Sequence, residues 1–322
     1  MRKLIKKVKK EDLVIPLLGA PGVKLTKTSM KENLQDEEVQ FETLLKLVER
    51  FKPDGIFPFM DLTVEPEALG LRVDFPEESN PSVKEHSVKT LSDLNQIKKE
   101  WTGIKGRMSV FIKLMEKMKK ELSILKGGYV IGPFTLAGEM MGVNDISTKI
   151  VLEPELIQEF IHFATEVISE YTNELFKAGA DTVAVLEPTP VILSPKHYEE
   201  FSLNPFQDLL KAVDNQPLIL HICGDTTHLL PKMTELNAFG LSLDSEVNFS
   251  SIKNEIPDDM VLIGNLDPTS IFLESNPEEI KTVTENFKNK MSDMDNFIIS
   301  SGCDIPMESP LENINAFMES AR

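Results

Sequence analysis

LILHICGDTT, residues 218–227, starts as a near-continuous apolar run and breaks into a polar loop. Such a run buries both of its faces, as a parallel strand covered by helices does. His221 and Cys223 stand at its end, two residues apart, so both side chains leave the same side of the strand. Similar runs recur along the chain: GIFPFM (55–60), GGYVIG (127–132), DTVAVLEP (181–188), GLSLD (240–244), MVLIGNLD (260–267) and NFIISSGC (296–303). Between them apolar residues return at helical spacing. Phe41, Leu44, Leu45, Val48 and Phe51 mark one helix face. Phe111, Leu114, Met115 and Met118 mark a second, and Ile157, Phe160, Ile161, Ala164 and Ile168 a third.

Several helix starts are signed. Ser194-Pro195, Asn276-Pro277 and Ser309-Pro310 each set a capping side chain before proline. Ser309 with Glu312 also has capping-box spacing. Strand–helix alternation over the whole chain predicts a (β/α)₈ barrel. No G-x-G-x-x-G follows a strand, which counts against a dinucleotide-binding sheet. The expected organisation is one barrel domain over residues 1–322, with an N-terminal extension of about fifty residues. The basic start, MRKLIKKVKKED, reads as a solvated helix or a frayed arm. The polar stretch 76–103 reads as a surface excursion.

The chain has 322 residues, 41% hydrophobic and 27% charged, with a net charge of −18. That charge argues against a nucleic-acid partner. No apolar run reaches the ~18 residues of a membrane span. The basic start lacks the apolar core of a secretory signal. Two cysteines make no disulfide framework, so a cytoplasmic location is expected.

Barrel enzymes work at the C-terminal ends of their strands. Those ends carry Asp61, Glu187, His221, Cys223, Asp244, Asp267 and Cys303. One imidazole and two thiolates from two strand ends can converge on one ion, and that donor set suits zinc. Three protein ligands leave a fourth position open, the catalytic pattern. The plain alternative stays open here, because cysteine is also a small buried hydrophobe. Cys223 as a nucleophile is a further rival, and it needs a positioned base.

The segments MDLTVEPEALG (60–70), GPFTLAGEMMG (132–142), LILHICG (218–224), IGNLDP (263–268) and SGCDIPMESPLENI (301–314) resemble the uroporphyrinogen-decarboxylase-like superfamily. The likeness is strongest to its corrinoid-dependent methyltransferases: methylcobamide:coenzyme M methyltransferases and the methyltransferase I components of aryl-ether O-demethylases. The resemblance implies a (β/α)₈ barrel. It also implies a zinc ion held by His221, Cys223 and Cys303, and a corrinoid carried by a separate protein. This chain shows no D-x-H-x-x-G motif of a cobalamin domain. True decarboxylases of the superfamily carry an arginine-rich N-terminal signature for porphyrinogen propionates. Residues 14–30 here read VIPLLGAPGVKLTKTSM, with no arginine. Residues 14–22 and 50–71 resemble the O-demethylase members more than the coenzyme M ones.

Glu187 is read as a displaceable fourth zinc ligand or a substrate-orienting group, against a carboxylate capping backbone amides. Asp61 and Glu65 are read as substrate contacts or as partners of the histidine, against loop capping. Asp267 reads as a turn residue. Met140 and Met141 line an apolar pocket mouth for an aryl substrate, or they fill core. His86, His162, His197 and His228 carry no assigned role. The expected function is zinc-dependent methyl transfer between a small molecule, a methoxylated aromatic first, and the cobalt of a corrinoid protein. Alternatives are a methylcobamide:thiol methyltransferase, a uroporphyrinogen-type decarboxylase and a zinc-stabilised binding protein. The assembly stays open, a homodimer included.

Overall fold

A computed structural model describes residues 1–77 and 79–322. Seven strands pair in parallel, each with the next along the chain. They are β1 Gly55–Ile56, β2 Leu125–Ile131, β3 Thr182–Leu186, β4 Leu218–Ile222, β5 Gly240–Leu243, β6 Val261–Leu266 and β7 Phe297–Ser301. Helices follow the strands and cover the outside, as the alternation predicts for a (β/α)₈ barrel. The helix Pro154–Ala178 buries Ile157, Phe160, Ile161, Ala164, Val167 and Ile168 on one face. Each such large side chain contributes about 1.5–3 kcal/mol.

The ring closes through a segment assigned by its sequence to the N-terminal extension. The amide of Ile15 donates to Ile299 O at 3.1 Å, and that of Ile299 to Leu13 O at 3.2 Å. On the other side the Asp54 amide donates to Val14 O at 3.1 Å. Residues 13–17 therefore form the stave between β7 and β1. Pro16 lacks an N–H and interrupts the ladder, so no regular strand pattern marks the stretch. The next amide, of Leu17, bonds the Ser301 hydroxyl at 3.2 Å instead.

The basic start also differs from expectation. It forms the helix Arg2–Val8, whose Ile5 and Val8 are buried. They join Leu13, Ile15, Phe239 and Ile298 in the inner cluster of the barrel. Leu4 and Val8 share a cavity with Gly55, Leu125 and Thr182 at the strand starts. The helix thus covers the N-terminal mouth of the barrel, with Lys3 and Lys6 exposed.

The excursion after β1 holds a short antiparallel pair, Val73–Asp74 with Ser82–Val83, and the helix Leu91–Glu100; Glu78 within it lies outside the described residues. Among the signed helix starts, Asn276 forms a full capping box and Ser194 accepts from the His197 amide. Ser309 does not cap. Pro310 is extended, at φ −58° and ψ 132°, and the helix begins at Leu311. That places Ser309 one residue too early to reach the first free amides.

Strand register fixes the layers inside. Tyr129, Ala184 and Ile219 are level with one another. Two residues further on, Leu186, His221 and Ser242 are level. His221 and Ser242 form the roof of the narrow apolar cavity whose floor is the N-terminal helix.

Candidate metal centre

His221 is the last residue but one of β4 and is buried, while Cys223 and Cys303 lie just past the ends of β4 and β7 and are half-buried. Their ligand atoms meet. His221 Nε2 lies 3.5 Å from Cys223 Sγ and 3.8 Å from Cys303 Sγ. The two sulfurs are 3.3 Å apart. A tetrahedral zinc site with bonds of ~2.3 Å to sulfur and ~2.05 Å to nitrogen has edges of about 3.6 Å (N–S) and about 3.8 Å (S–S). The three side chains already form one face of such a tetrahedron. Both cysteines are free, and their sulfur separation is far beyond the ~2.05 Å of a disulfide. Among the described residues, these three form the group whose ligand atoms all lie within 4.8 Å of one another.

Their contact shifts the two thiols in opposite directions. Cys223 is held below its usual range by the hydrogen bond with Cys303, against the effect of burial. Cys303 is pushed well above its usual range by the same contact and by burial. A cation at the shared vertex relieves this, because it stabilises both thiolates at once. The other ring nitrogen of the histidine, Nδ1, lies 2.9 Å from Ser242 Oγ. The donor set, its spacing and its buried second contact fit a zinc ion.

Glu187 is placed elsewhere. Its Oε1 accepts from the Phe134 amide at 2.9 Å and its Oε2 from the Thr135 amide at 3.0 Å. Both are in the first turn of the helix Pro133–Met141. A Cβ at position 132 would stand 2.0 Å from Glu187 Oε2, so glycine there lets the carboxylate lie against the backbone. The expected ligand role thus gives way to a helix N-terminal contact, which supplies donors that the metal group does not. Burial raises the Glu187 carboxyl to about 7, with these donors opposing.

Asp61 is also engaged. Arg107 donates to its Oδ2, and the amide and hydroxyl of Thr63 both donate to its Oδ1 at 2.7 Å. Arg107 binds Glu67 through Nε at 2.5 Å and lies over the Phe75 ring. Asp61 and Arg107 form a buried ion pair that ties the loop after β1 to the start of the helix Met108–Glu121. Glu65 accepts from the Ile131 amide at 2.9 Å through Oε1, while its buried Oε2 has no partner. Burial raises that carboxyl to about 8. Neither residue is the partner of His221; that place belongs to Ser242. Asp267 accepts from the Thr269 and Ser270 amides, as a turn residue should. Met140 and Met141 are both fully buried, so they fill core and line no mouth.

Sequence reasoning missed Ser242 and Arg107. Ser242 was visible as the one polar residue inside the run GLSL (240–243). Arg107 carries no comparable local signal, because its partners lie 40 to 46 positions away.

This barrel, with a histidine and two cysteines at its C-terminal mouth, defines a class. The uroporphyrinogen decarboxylase (URO-D) family matches residues 19–322, and the chain belongs to that family, in its corrinoid-dependent methyltransferase branch. It is similar to the methylcobamide:CoM methyltransferase MtbA of Methanosarcina mazei, 30% identical over 276 residues, 82% of this chain and 78% of the relative. A uroporphyrinogen decarboxylase of Prochlorococcus marinus is 28% identical over 306 residues, 90% of this chain and 86% of the relative. Among solved structures, a methyltransferase from Methanosarcina mazei superposes with a TM-score of 0.84 at 23% identity, over 99% of this chain and 97% of that one. The last match shows the fold. No helix among the described residues is long and apolar enough to cross a membrane.

Proposed function

We propose that this chain is a zinc-dependent methyltransferase. It moves a methyl group between the cobalt of a corrinoid on a separate protein and a small molecule held at His221, Cys223 and Cys303. The carrying observation is the convergence of one Nε2 and two Sγ atoms within 3.8 Å of each other. A thiol is the favoured small molecule, of the coenzyme M type, because the relative MtbA is a methylcobamide:CoM methyltransferase. A methoxylated aromatic is the second reading, supported by the resemblance of residues 14–22 and 50–71.

Bound at this site, zinc would act as a Lewis acid that holds the thiol as thiolate or polarises an ether oxygen. The chain supplies the rest. Two thiolates and a neutral imidazole cancel the charge of a divalent ion, and Glu187 adds none because it faces the helix Pro133–Met141. The apolar cavity beneath His221 keeps water away from the underside of the centre. Three protein ligands would leave a tetrahedral ion one position for the substrate.

Porphyrinogen decarboxylation is disfavoured by the arginines. Arg107 is spent on Asp61 and Glu67, and Arg72 pairs with Glu85 on the surface. A polycarboxylate substrate needs such cations fixed and available. The test is direct. Purified zinc-loaded protein is mixed with methylcobalamin and a panel of thiols, and separately with cob(I)alamin and methoxyarenes, and the corrinoid absorbance is followed. Thiol-dependent loss of methylcobalamin supports the first reading. No exchange in either direction contradicts the proposal.

A further inference from the structure

β5 supplies no ligand to the candidate metal centre, yet its end touches both segments that do. Ser242 is level with His221 and its Oγ lies 2.9 Å from His221 Nδ1. Asp244 Oδ2 accepts from the amide of Gly224, the residue after Cys223, at 2.9 Å. The Ser245 amide nitrogen would stand 2.7 Å from a Cβ at position 302, so only glycine lets the residue before Cys303 approach so closely. The β5 end is itself tied down. Asp244 Oδ1 contacts Ser245 Oγ and the Glu246 amide, both at 3.1 Å. The Asn265 side-chain amide donates to the carbonyls of Asp244 and Val247, both at 2.7 Å.

We propose that the end of β5, residues 242–245, is a template that sets the three ligand atoms, with Ser242 and Asp244 as positioning residues. The inference rests on the metal reading above. A neutral imidazole carries one N–H and one lone pair, and a hydrogen bond at one nitrogen decides which is which. Donation of the Nδ1 hydrogen to Ser242 Oγ leaves the Nε2 lone pair facing the thiols. A hydroxyl does this without adding charge, so the centre stays neutral; a carboxylate partner would make it anionic and weaken its pull on substrate. Asp244 acts on the neighbour. It fixes the peptide after Cys223, and with it the direction of the sulfur. Two ligands on β4 and one on β7 are thereby set by a strand between them.

The test uses the metal-free full chain titrated with Co(II), whose thiolate charge-transfer and d–d bands report sulfur ligation and tetrahedral geometry. Ser242→Ala is expected to weaken Co(II) binding by about 10- to 100-fold and to alter the d–d bands. Its metal-free form should still unfold cooperatively, at a somewhat lower temperature because the His221 Nδ1 hydrogen loses its partner, and Ser242→Thr, which keeps the hydroxyl, should regain affinity. Asp244→Ala should reduce the charge-transfer intensity. Should the alanine variant fail to fold, nitrogen-15 NMR of the metal-free wild type decides the matter. His221 protonated on Nδ1 supports the template and His221 protonated on Nε2 overturns it. A Ser242→Ala protein with wild-type affinity and spectrum overturns the proposal while leaving the metal reading intact. A wild type with no thiolate-to-cobalt band removes the metal reading itself, and the template with it.

Discussion

The sulfurs of Cys223 and Cys303 lie 3.3 Å apart across 80 positions of sequence. One lies just past the end of β4 and the other just past the end of β7, so the contact crosses the barrel mouth above β5 and β6. On the far side of the barrel, residues 13–17 complete the ring by joining β7 to β1.

Cys303→Ser should cut metal affinity by at least tenfold and abolish methyl transfer while the barrel stays folded. Its side chain is half-buried at a strand end and packs little core. Metal content, turnover and thermal unfolding are measured together. A variant that keeps its metal but unfolds early would make Cys303 a packing residue.

Glu187→Gln separates the two roles considered for that carboxylate. As a helix N-terminal contact it accepts two backbone amides. The amide side chain would set one of its own N–H groups against a donor. A loss of about 1–3 kcal/mol of stability is expected, with metal content unchanged. Chemical denaturation and metal analysis check it. Loss of metal with full stability would restore the ligand role.

Much of this architecture was legible in the sequence and some was not. Parallel strands buried on both faces announce themselves as apolar runs, and parity then puts His221 and Cys223 on one side. The stave at residues 13–17 stayed hidden because Pro16 breaks the pattern that reveals a strand. The zinc-suited trio was readable because cysteine is scarce here. The fate of Glu187 was not, since the direction of a carboxylate at a strand end depends on which helix starts beside it. Asp61 was hidden in the same way, because its cation arrives from 46 positions away.

Glu65 predicts a pH dependence. Burial raises its carboxyl to about 8 from an ordinary 4.5. In the unfolded chain it loses its proton near 4.5; in the folded chain it holds that proton to about 8. Folding is therefore weakened as pH rises through that window, by about 1.4 kcal/mol per pH unit at most. Glu65→Gln mimics the protonated acid and does not titrate. It should match the wild type near pH 5 and exceed it in melting temperature at pH 8.5. A constant difference between the two proteins across this range would show that Glu65 is ionised throughout.

The central claim is that His221, Cys223 and Cys303 hold one zinc ion with a fourth position open to substrate. X-ray absorption at the zinc edge, on protein purified without chelators, tests it most directly when recorded with and without a thiol substrate. The account predicts about one zinc per chain, with one nitrogen and two sulfur ligands at rest and a third sulfur when the thiol is added. A chain that transfers methyl groups at full rate without metal, or a zinc shell that contains no sulfur, would contradict it.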